Sequence, residues 1–247
     1  MLKFLIESRR LKSGDLIPAQ DFGYTALDAV EYQNWFEGTQ VYSYTLLEGC
    51  RFQSRDLSRF LCPDCIPVGS VEFCLAWYRG MGLPDIRPLN LPPELWKFAG
   101  REIFVSDGLP GGSGQYFVKD MEEFKAPGNG MASGGRAFPK PMLCSAWIDG
   151  IVSEWRAFVL DGEVQGIRCY GGDEWILPSR ELILEIAQEY ANRSYTLDVM
   201  VDGAGKTYPV EVHDFFACGL YGFDDPPALL RMLYRTQRKL LSPLKLA

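Results

Sequence analysis

Residues 195–216, YTLDVMVDGAGKTYPVEVHDFF, set three metal-ligand side chains into two apolar runs. Asp198 lies between Leu197 and Val199, and Glu211 and His213 flank Val212. Side chains alternate along a strand, so Glu211 and His213 share one face while Val210 and Val212 take the other. With a four-residue loop at 203–206, Val201 faces Tyr208 and Asp198 sits across from Glu211. Carboxylates at cross-strand distance repel each other unless a cation lies between them. Oxygen ligands suit Mg2+ or Mn2+. A half-exposed hairpin with a solvated polar face is the plainer alternative.

A second group is cationic. Lys119 closes the apolar run QYFVKD between two glycine clusters, GLPGGSG at 108–114 and APGNGMASGGR at 126–136. A lysine so placed can reach phosphate oxygens while a glycine-rich loop closes over them. No GxxxxGK[ST] pattern is present, so a P-loop is excluded. The stretch 126–136 is expected to be a mobile loop.

A third group sits in SEWRAFVLDGEVQGIRCY, residues 153–170. Glu154 and Arg156 share a face of its first strand. A two-residue turn at Asp161-Gly162 pairs Arg156 with Ile167 and sends Arg168 to the opposite face. A three-residue loop, 160–162, with Gly162 left-handed, pairs Glu154 with Arg168, and all three then converge. Two surface arginines are the plainer reading.

The elements that must position these groups follow from hydrophobic period and Gly/Pro punctuation. Short strands (KFLIE, TQVYSYTLL) open the chain, and a helix is expected from Ser70 as N-cap to Gly80 or Gly82. REIFVS, QYFVKD, MLCSAWI and the 153–170 hairpin read as strands. SRELILEIAQEYANR is a helix capped by Ser179, with Leu182, Ile183, Ile186, Ala187 and Tyr190 on one stripe. A last helix starts near Pro227. The fold class is α+β with largely antiparallel hairpins.

The chain has 247 residues, 47% hydrophobic and 13% aromatic, which suits a packed globular protein rather than a disordered one. Its net charge of −7 makes a poor non-specific binder of nucleic acid, which needs Lys and Arg on phosphates. No run reaches the roughly 20 apolar residues of a membrane span, and MLKFLIESRR reads as a first strand. The seven cysteines, an odd and scattered set, point to a reduced, cytoplasmic protein. CPDC at 62–65 lacks the second Cys or His pair of a zinc site and reads as ordinary thiols in a turn.

The order of these parts is the most specific signal: strand-Lys, glycine flap, linker, Glu/Arg hairpin, helix, Asp strand, Glu-x-His strand. It resembles the ATP-grasp superfamily, and within it the small phage and bacterial clade named for two arginines and a lysine. IPVGSVEFCLAWYRGMG at 66–82 and EVHDFFACGLYGF at 211–223 look like segments of that clade. The resemblance covers most of 66–223. It implies two α+β subdomains clasping ATP, behind an N-terminal α/β pre-ATP-grasp region at 1–107. The ATP-grasp domain would then run 108–247, with the glycine flap in 108–145 and the metal-binding part in 146–247.

The resemblance also implies roles. Lys119 matches the phosphate-contacting lysine and residues 128–135 the flap. The linker 144–149, including Ser145, Ala146, Trp147 and Ile148, would contact adenine, with Glu154 near the ribose. Arg156 and Arg168 match the two named arginines and would serve the transferred phosphate. Asp198 and Glu211 match the metal carboxylates, and His213 stands where Asn is usual. The implied activity is ATP-dependent ligation of a carboxylate, from an amino acid or peptide, to an amine or thiol through an acyl phosphate. Mg2+ or Mn2+ is the implied ion. A nucleotide-binding protein without turnover and a phosphotransferase are the alternatives.

Overall fold

The computed structural model describes residues 1–49, 58–83 and 86–244; of the seven cysteines, Cys50 lies outside them. The chain divides into two compact units. One takes in residues 1–86, 193–195 and 214–247, the other 87–192 and 196–213. This division does not coincide with one at 107/108, because residues 87–107 lie in the second unit and the C-terminal helix in the first.

The first unit is built on β1 (Leu2–Arg10), followed by β2 (Leu16–Pro18), α1 (Asp21–Glu37), β3 (Tyr42–Glu48), β4 (Cys65–Val68) and α2 (Val71–Gly80). β1 pairs parallel with β3 and β4 and antiparallel with β2. Parallel neighbours need a crossover, and such strands are covered on both faces. Accordingly Phe4, Leu5 and Ile6, three successive residues of β1, are all fully buried. Ser70 caps α2 as its sequence predicts, its hydroxyl accepting the Phe73 N–H at 3.1 Å. α1 has no counterpart in the sequence reading.

The second unit carries β5 (Ile103–Gly108), β6 (Gln115–Lys119), β7 (Gly130–Ser133), β8 (Ala137–Ala146), β9 (Ile151–Leu160), β10 (Glu163–Gly172), α3 (Arg180–Glu189) and, except for Ser194, Tyr195 and Asp214, β11 (Ser194–Asp202) and β12 (Thr207–Asp214). α4 (Pro226–Leu241) then returns to the first unit. Asp225 caps α4, accepting the Ala228 N–H at 2.9 Å, and two prolines open it, where a missing N–H costs nothing.

Two four-stranded sheets result, ordered β5-β8-β6-β7 and β10-β9-β11-β12. In the first, Cys144 of β8 pairs with Phe104 on one side and Val118 on the other. Leu109, Val118, Ala132, Met142 and Cys144 form its core. Part of the second glycine cluster, expected as a loop, is strand β7, paired with β6 from Gly130 to Ser133. The turn after it lies on the first cluster: Gly134 N–H donates to the Gly114 carbonyl at 2.8 Å and Gly135 N–H to the Pro110 carbonyl at 2.9 Å. A Cβ at Gly134 would come within 2.6 Å of the Gly112 carbonyl oxygen, so this close approach requires glycine.

On the second sheet, α3 lays Ile183, Ile186 and Ala187 inward, and Ser179 accepts the Leu182 N–H at 3.2 Å. No helix among the described residues is long and apolar enough to cross a membrane.

Candidate nucleotide and metal site

The β9–β10 hairpin positions the arginines by a device that neither expected turn contains. The turn is the two-residue Asp161-Gly162, with φ of 51° and 83°, the left-handed pair that suits a tight hairpin. Leu160 therefore pairs with Glu163. The register then shifts between Val164 and Gly166, leaving Gln165 as an extra residue. Past this bulge Arg168 lies directly opposite Arg156, so the two point to one face. The expected pairings of Arg156 with Ile167, or of Glu154 with Arg168, are both corrected: convergence comes from the bulge, not from a longer loop.

A second shift at Tyr170 sets Gly171 opposite Glu154. A Cβ at Gly171 would meet Glu154 Oε1 at 3.2 Å, so the glycine leaves room for that carboxylate. The Tyr170 hydroxyl donates to Glu154 Oε2 at 3.3 Å. Burial, with the Asp198 and Glu154 charges adding to it, pushes the Tyr170 phenol well above its usual pKa and keeps it a donor.

Asp198 of β11 is only 3% exposed, and Arg156 of β9 only 6%. Arg156 Nε meets Asp198 Oδ1 and Nη2 meets Oδ2, both at 2.7 Å. This two-pronged contact compensates an otherwise prohibitive buried charge. On β12, Glu211 pairs with the Lys119 ammonium, and His213 Nε2 lies 2.6 Å from Glu211 Oε1. Burial draws the Lys119 pKa down to about 8. The Asp198 carboxylate opposes this, and the Arg101 guanidinium reinforces it. The direct contact with Glu211 works with Asp198, so the ammonium stays charged at neutral pH.

Asp198, Glu211 and His213 offer ligand atoms that all lie within 4.8 Å of one another. Two carboxylates and an imidazole at that spacing fit one divalent cation, because each arm would be about 2.0–2.6 Å long. In this structure the cationic partners of the two carboxylates are Arg156 and Lys119.

Beside this cluster, within the same unit, runs a cleft of about 510 Å3. Its walls include Ile103, Phe117 and Leu143 from the first sheet and Met200 and Val210 from the second. Ser145, Ala146, Trp147, Ile148, Glu154 and Lys119 all line it, whereas Arg156, Arg168, Asp198, Glu211 and His213 do not. Lys119 thus belongs to both cleft and cluster. The amides of Ala146 and Trp147 are already engaged, donating to the carbonyls of Glu102 and Gln115 at 2.9 and 3.0 Å.

Arg101 lines the cleft too, held by the Pro209 carbonyl at 2.9 Å, and burial lowers its pKa to about 10. The sequence reading assigned no role to it, nor to the apolar walls. Apolar strand positions read as core whichever side of a cleft they face.

A sequence profile of the ATP-grasp domain, family 3 of the clade named for two arginines and a lysine, matches residues 69–233, well over half of the chain. The chain belongs to this family. No match is found among curated proteins. Solved structures with the same fold include D-alanine–D-alanine ligase from Bacillus anthracis. It is 11% identical, with 98% of each chain covered and a TM-score of 0.50. N5-carboxyaminoimidazole synthetase from Staphylococcus aureus, solved with ADP, is 12% identical, with 96% of this chain and 77% of that one covered and a TM-score of 0.52. Biotin carboxylase from Campylobacter jejuni is 12% identical, with 97% and 71% covered and a TM-score of 0.51. At such identity the likeness is one of fold. The ATP-grasp fold is therefore that of this chain, and its mixed α+β build with antiparallel sheets agrees with the sequence reading.

Proposed function

We propose that this ATP-grasp protein is an ATP-dependent ligase that joins a carboxylate, from an amino acid or peptide, to an amine. The observation that carries this reading is Lys119, which lines an apolar cleft of nucleotide size and also touches a metal-type carboxylate. Ile103, Met200 and the other apolar walls suit a purine ring. With the amides of Ala146 and Trp147 engaged in the sheet, the base-contacting backbone falls to Ile148 and Asp149, further along the linker. Glu154 suits the ribose hydroxyls, its carboxylate oriented by Tyr170.

Asp198 and Glu211 would hold a divalent cation, with His213 as a third ligand. When bound, the ion supplies positive charge to the phosphate oxygens. Lys119 would move from Glu211 to the phosphates. Arg168, with Arg156 beside it, would neutralise charge as the terminal phosphoryl passes to the substrate carboxylate oxygen. ADP leaves in that step. The amine nitrogen then attacks the activated carbonyl, inorganic phosphate departs, and the amine gives up a proton. The chain needs no side-chain nucleophile for this.

The test is ADP release by the purified chain across a panel of amino acids and dipeptides, with products read by mass spectrometry. An amide product with stoichiometric ADP and phosphate supports the ligase. Nucleotide binding without ADP release favours a binding protein, and a stable phosphorylated product without an amide favours a phosphotransferase.

A further inference from the structure

In the first unit, the turn that leads into β4 carries two thiols. Cys62 and Cys65 bracket Pro63 and Asp64, and the Cys65 N–H donates to the Cys62 carbonyl at 3.0 Å. The closed turn brings the two Sγ atoms to 3.2 Å, with the Cys62 thiol donating to the Cys65 sulfur. A disulfide bond needs about 2.05 Å, so a small rotation of the two side chains suffices.

The surroundings differ for the two sulfurs. Cys62 is half-buried and Cys65 is buried, 4% exposed. Both line a cleft of about 550 Å3 that also includes Lys3, Arg59, Phe60 and Asp64. Lys3 Nζ and Arg59 Cζ lie 5.7 and 4.9 Å from the Phe60 ring centre, so two cations and one carboxylate flank the thiols. The turn is anchored from behind. Gln237 Nε2 of α4, itself 1% exposed, donates to the Pro63 carbonyl at 2.9 Å and the Cys65 carbonyl at 2.6 Å.

A metal is a poorer account of this pair. Structural zinc takes four ligands. Among the described residues, the only group of three or more Cys, His, Asp or Glu side chains gathered around one point is Asp198, Glu211 and His213.

We propose that Cys62 and Cys65 form a dithiol–disulfide exchange site for anionic low-molecular-weight disulfides, separate from the ATP cleft. The more exposed sulfur attacks first: the Cys62 thiolate bonds to one sulfur of the small disulfide, whose other half leaves as a thiolate. Cys65 then gives up its proton and attacks Cys62 Sγ, expelling the second half. The two protein thiols are oxidised to one disulfide and the small disulfide is reduced to two thiols, which take up the two protons. Burial pushes the Cys65 thiol up to about 12, with the neighbouring Cys62 sulfur adding to this and Lys3 opposing it. Cys65 therefore stays protonated as the resolving thiol until Cys62 has reacted. Lys3 and Arg59, which line the same cleft, favour an incoming carboxylate.

The experiment uses the full chain equilibrated with glutathione disulfide without oxygen, then differential alkylation and peptide mass mapping. The peptide holding Cys62 and Cys65 should lose two hydrogens and regain them with dithiothreitol. Cys65→Ser should stop at one glutathionyl group on Cys62, and Cys62→Ser should leave Cys65 unmodified. Wild-type oxidation should be several-fold faster with glutathione disulfide than with neutral bis(2-hydroxyethyl) disulfide, a preference that Arg59→Ala should remove. Wild-type Cys62 and Cys65 that both remain free thiols would overturn the proposal, as would glutathionylation of Cys65 in Cys62→Ser. Equal rates with the two disulfides would overturn its anionic specificity. Because the main readout is on the unmutated chain, a variant that fails to fold leaves the test intact.

Discussion

Arg156 holds Asp198 by two 2.7 Å bonds, Nε to Oδ1 and Nη2 to Oδ2, between strands β9 and β11. Both residues are almost fully buried. The carboxylate that would bind a metal is thereby pre-oriented and charge-compensated before any ligand arrives. Arg156→Met should destabilise the chain by about 3–5 kcal/mol, because it leaves a buried carboxylate without its partner. Adding Asp198→Asn should recover much of this. Urea denaturation of the single and double variants is the measurement. A single-variant loss below about 1 kcal/mol, the level of an exposed ion pair, would show that the pair carries little.

The Gln165 bulge makes a register prediction. Deleting Gln165 alone should restore a regular ladder and leave Arg168 opposite Arg156, so turnover should hold. Deleting Gln165 and Gly166 together should set Arg168 opposite Ala157 and carry it to the other face. Turnover of that double deletion should fall about 10²-fold, typical for removing one charge-stabilising group, while far-ultraviolet circular dichroism stays as in the wild type. Undiminished ADP release by the double deletion would remove Arg168 from the reaction.

ATP should raise the melting temperature strongly only with a divalent metal present. Once Lys119 leaves Glu211 for the phosphates, that carboxylate would otherwise face them without its cation. At about 100 times its dissociation constant a ligand adds about 2.7 kcal/mol. An equal shift with ATP in EDTA would count against the metal carboxylates, and an unchanged shift in Lys119→Ala would remove that lysine from the phosphates.

His213 stands 2.6 Å from Glu211 through Nε2. As a ligand it should favour Mn2+ over Mg2+, since imidazole prefers softer ions. His213→Asn should move the preference toward Mg2+, read by calorimetric titration of each metal. An unchanged preference would leave His213 as a neighbour that only orients Glu211.

The hairpin that carries Asp198 and Glu211 has its own pH dependence. The Lys206 amide, the Tyr208 hydroxyl and the Ala204 amide hold the Asp202 carboxyl below the usual carboxylate range, despite some opposing burial. A depressed folded pKa contributes stability above the unfolded value of about 3.9, and that contribution is lost as pH falls further and Asp202 takes a proton. The stability gap between wild type and Asp202→Asn, followed by urea midpoints from neutral to acid pH, should therefore narrow toward acid. A gap independent of pH would contradict it.

Much of the fold could be read in advance where a local rule and a burial pattern agreed. Ser179 and Ser70 cap the helices they were expected to cap, and the prolines after Asp225 open the last helix. α1 was not foreseen. Gln20 supplies no side-chain cap, and Tyr24, Tyr32, Trp35 and Phe36 stand exposed, which blurs the apolar stripe. β7 was hidden because its ladder to β6 is made by backbone in a glycine-rich stretch. The bulge left one local mark, Gly166 in mid-strand beside Gln165, which suits a bulge but does not fix the register; the pairing of β9 with β10 does. The cluster around Asp198 and Glu211 was legible because carboxylates inside apolar strands are costly without a reason.

The most direct measurement is a crystal structure with a non-hydrolysable ATP analogue and Mn2+, using the anomalous signal of the metal. The account predicts the ion on Asp198 and Glu211, Lys119 moved from Glu211 to a phosphate oxygen, and the base between Ile103 and Met200. An analogue bound outside this cleft, or bound within it while Lys119 stays on Glu211 and no ion joins the two carboxylates, would contradict it.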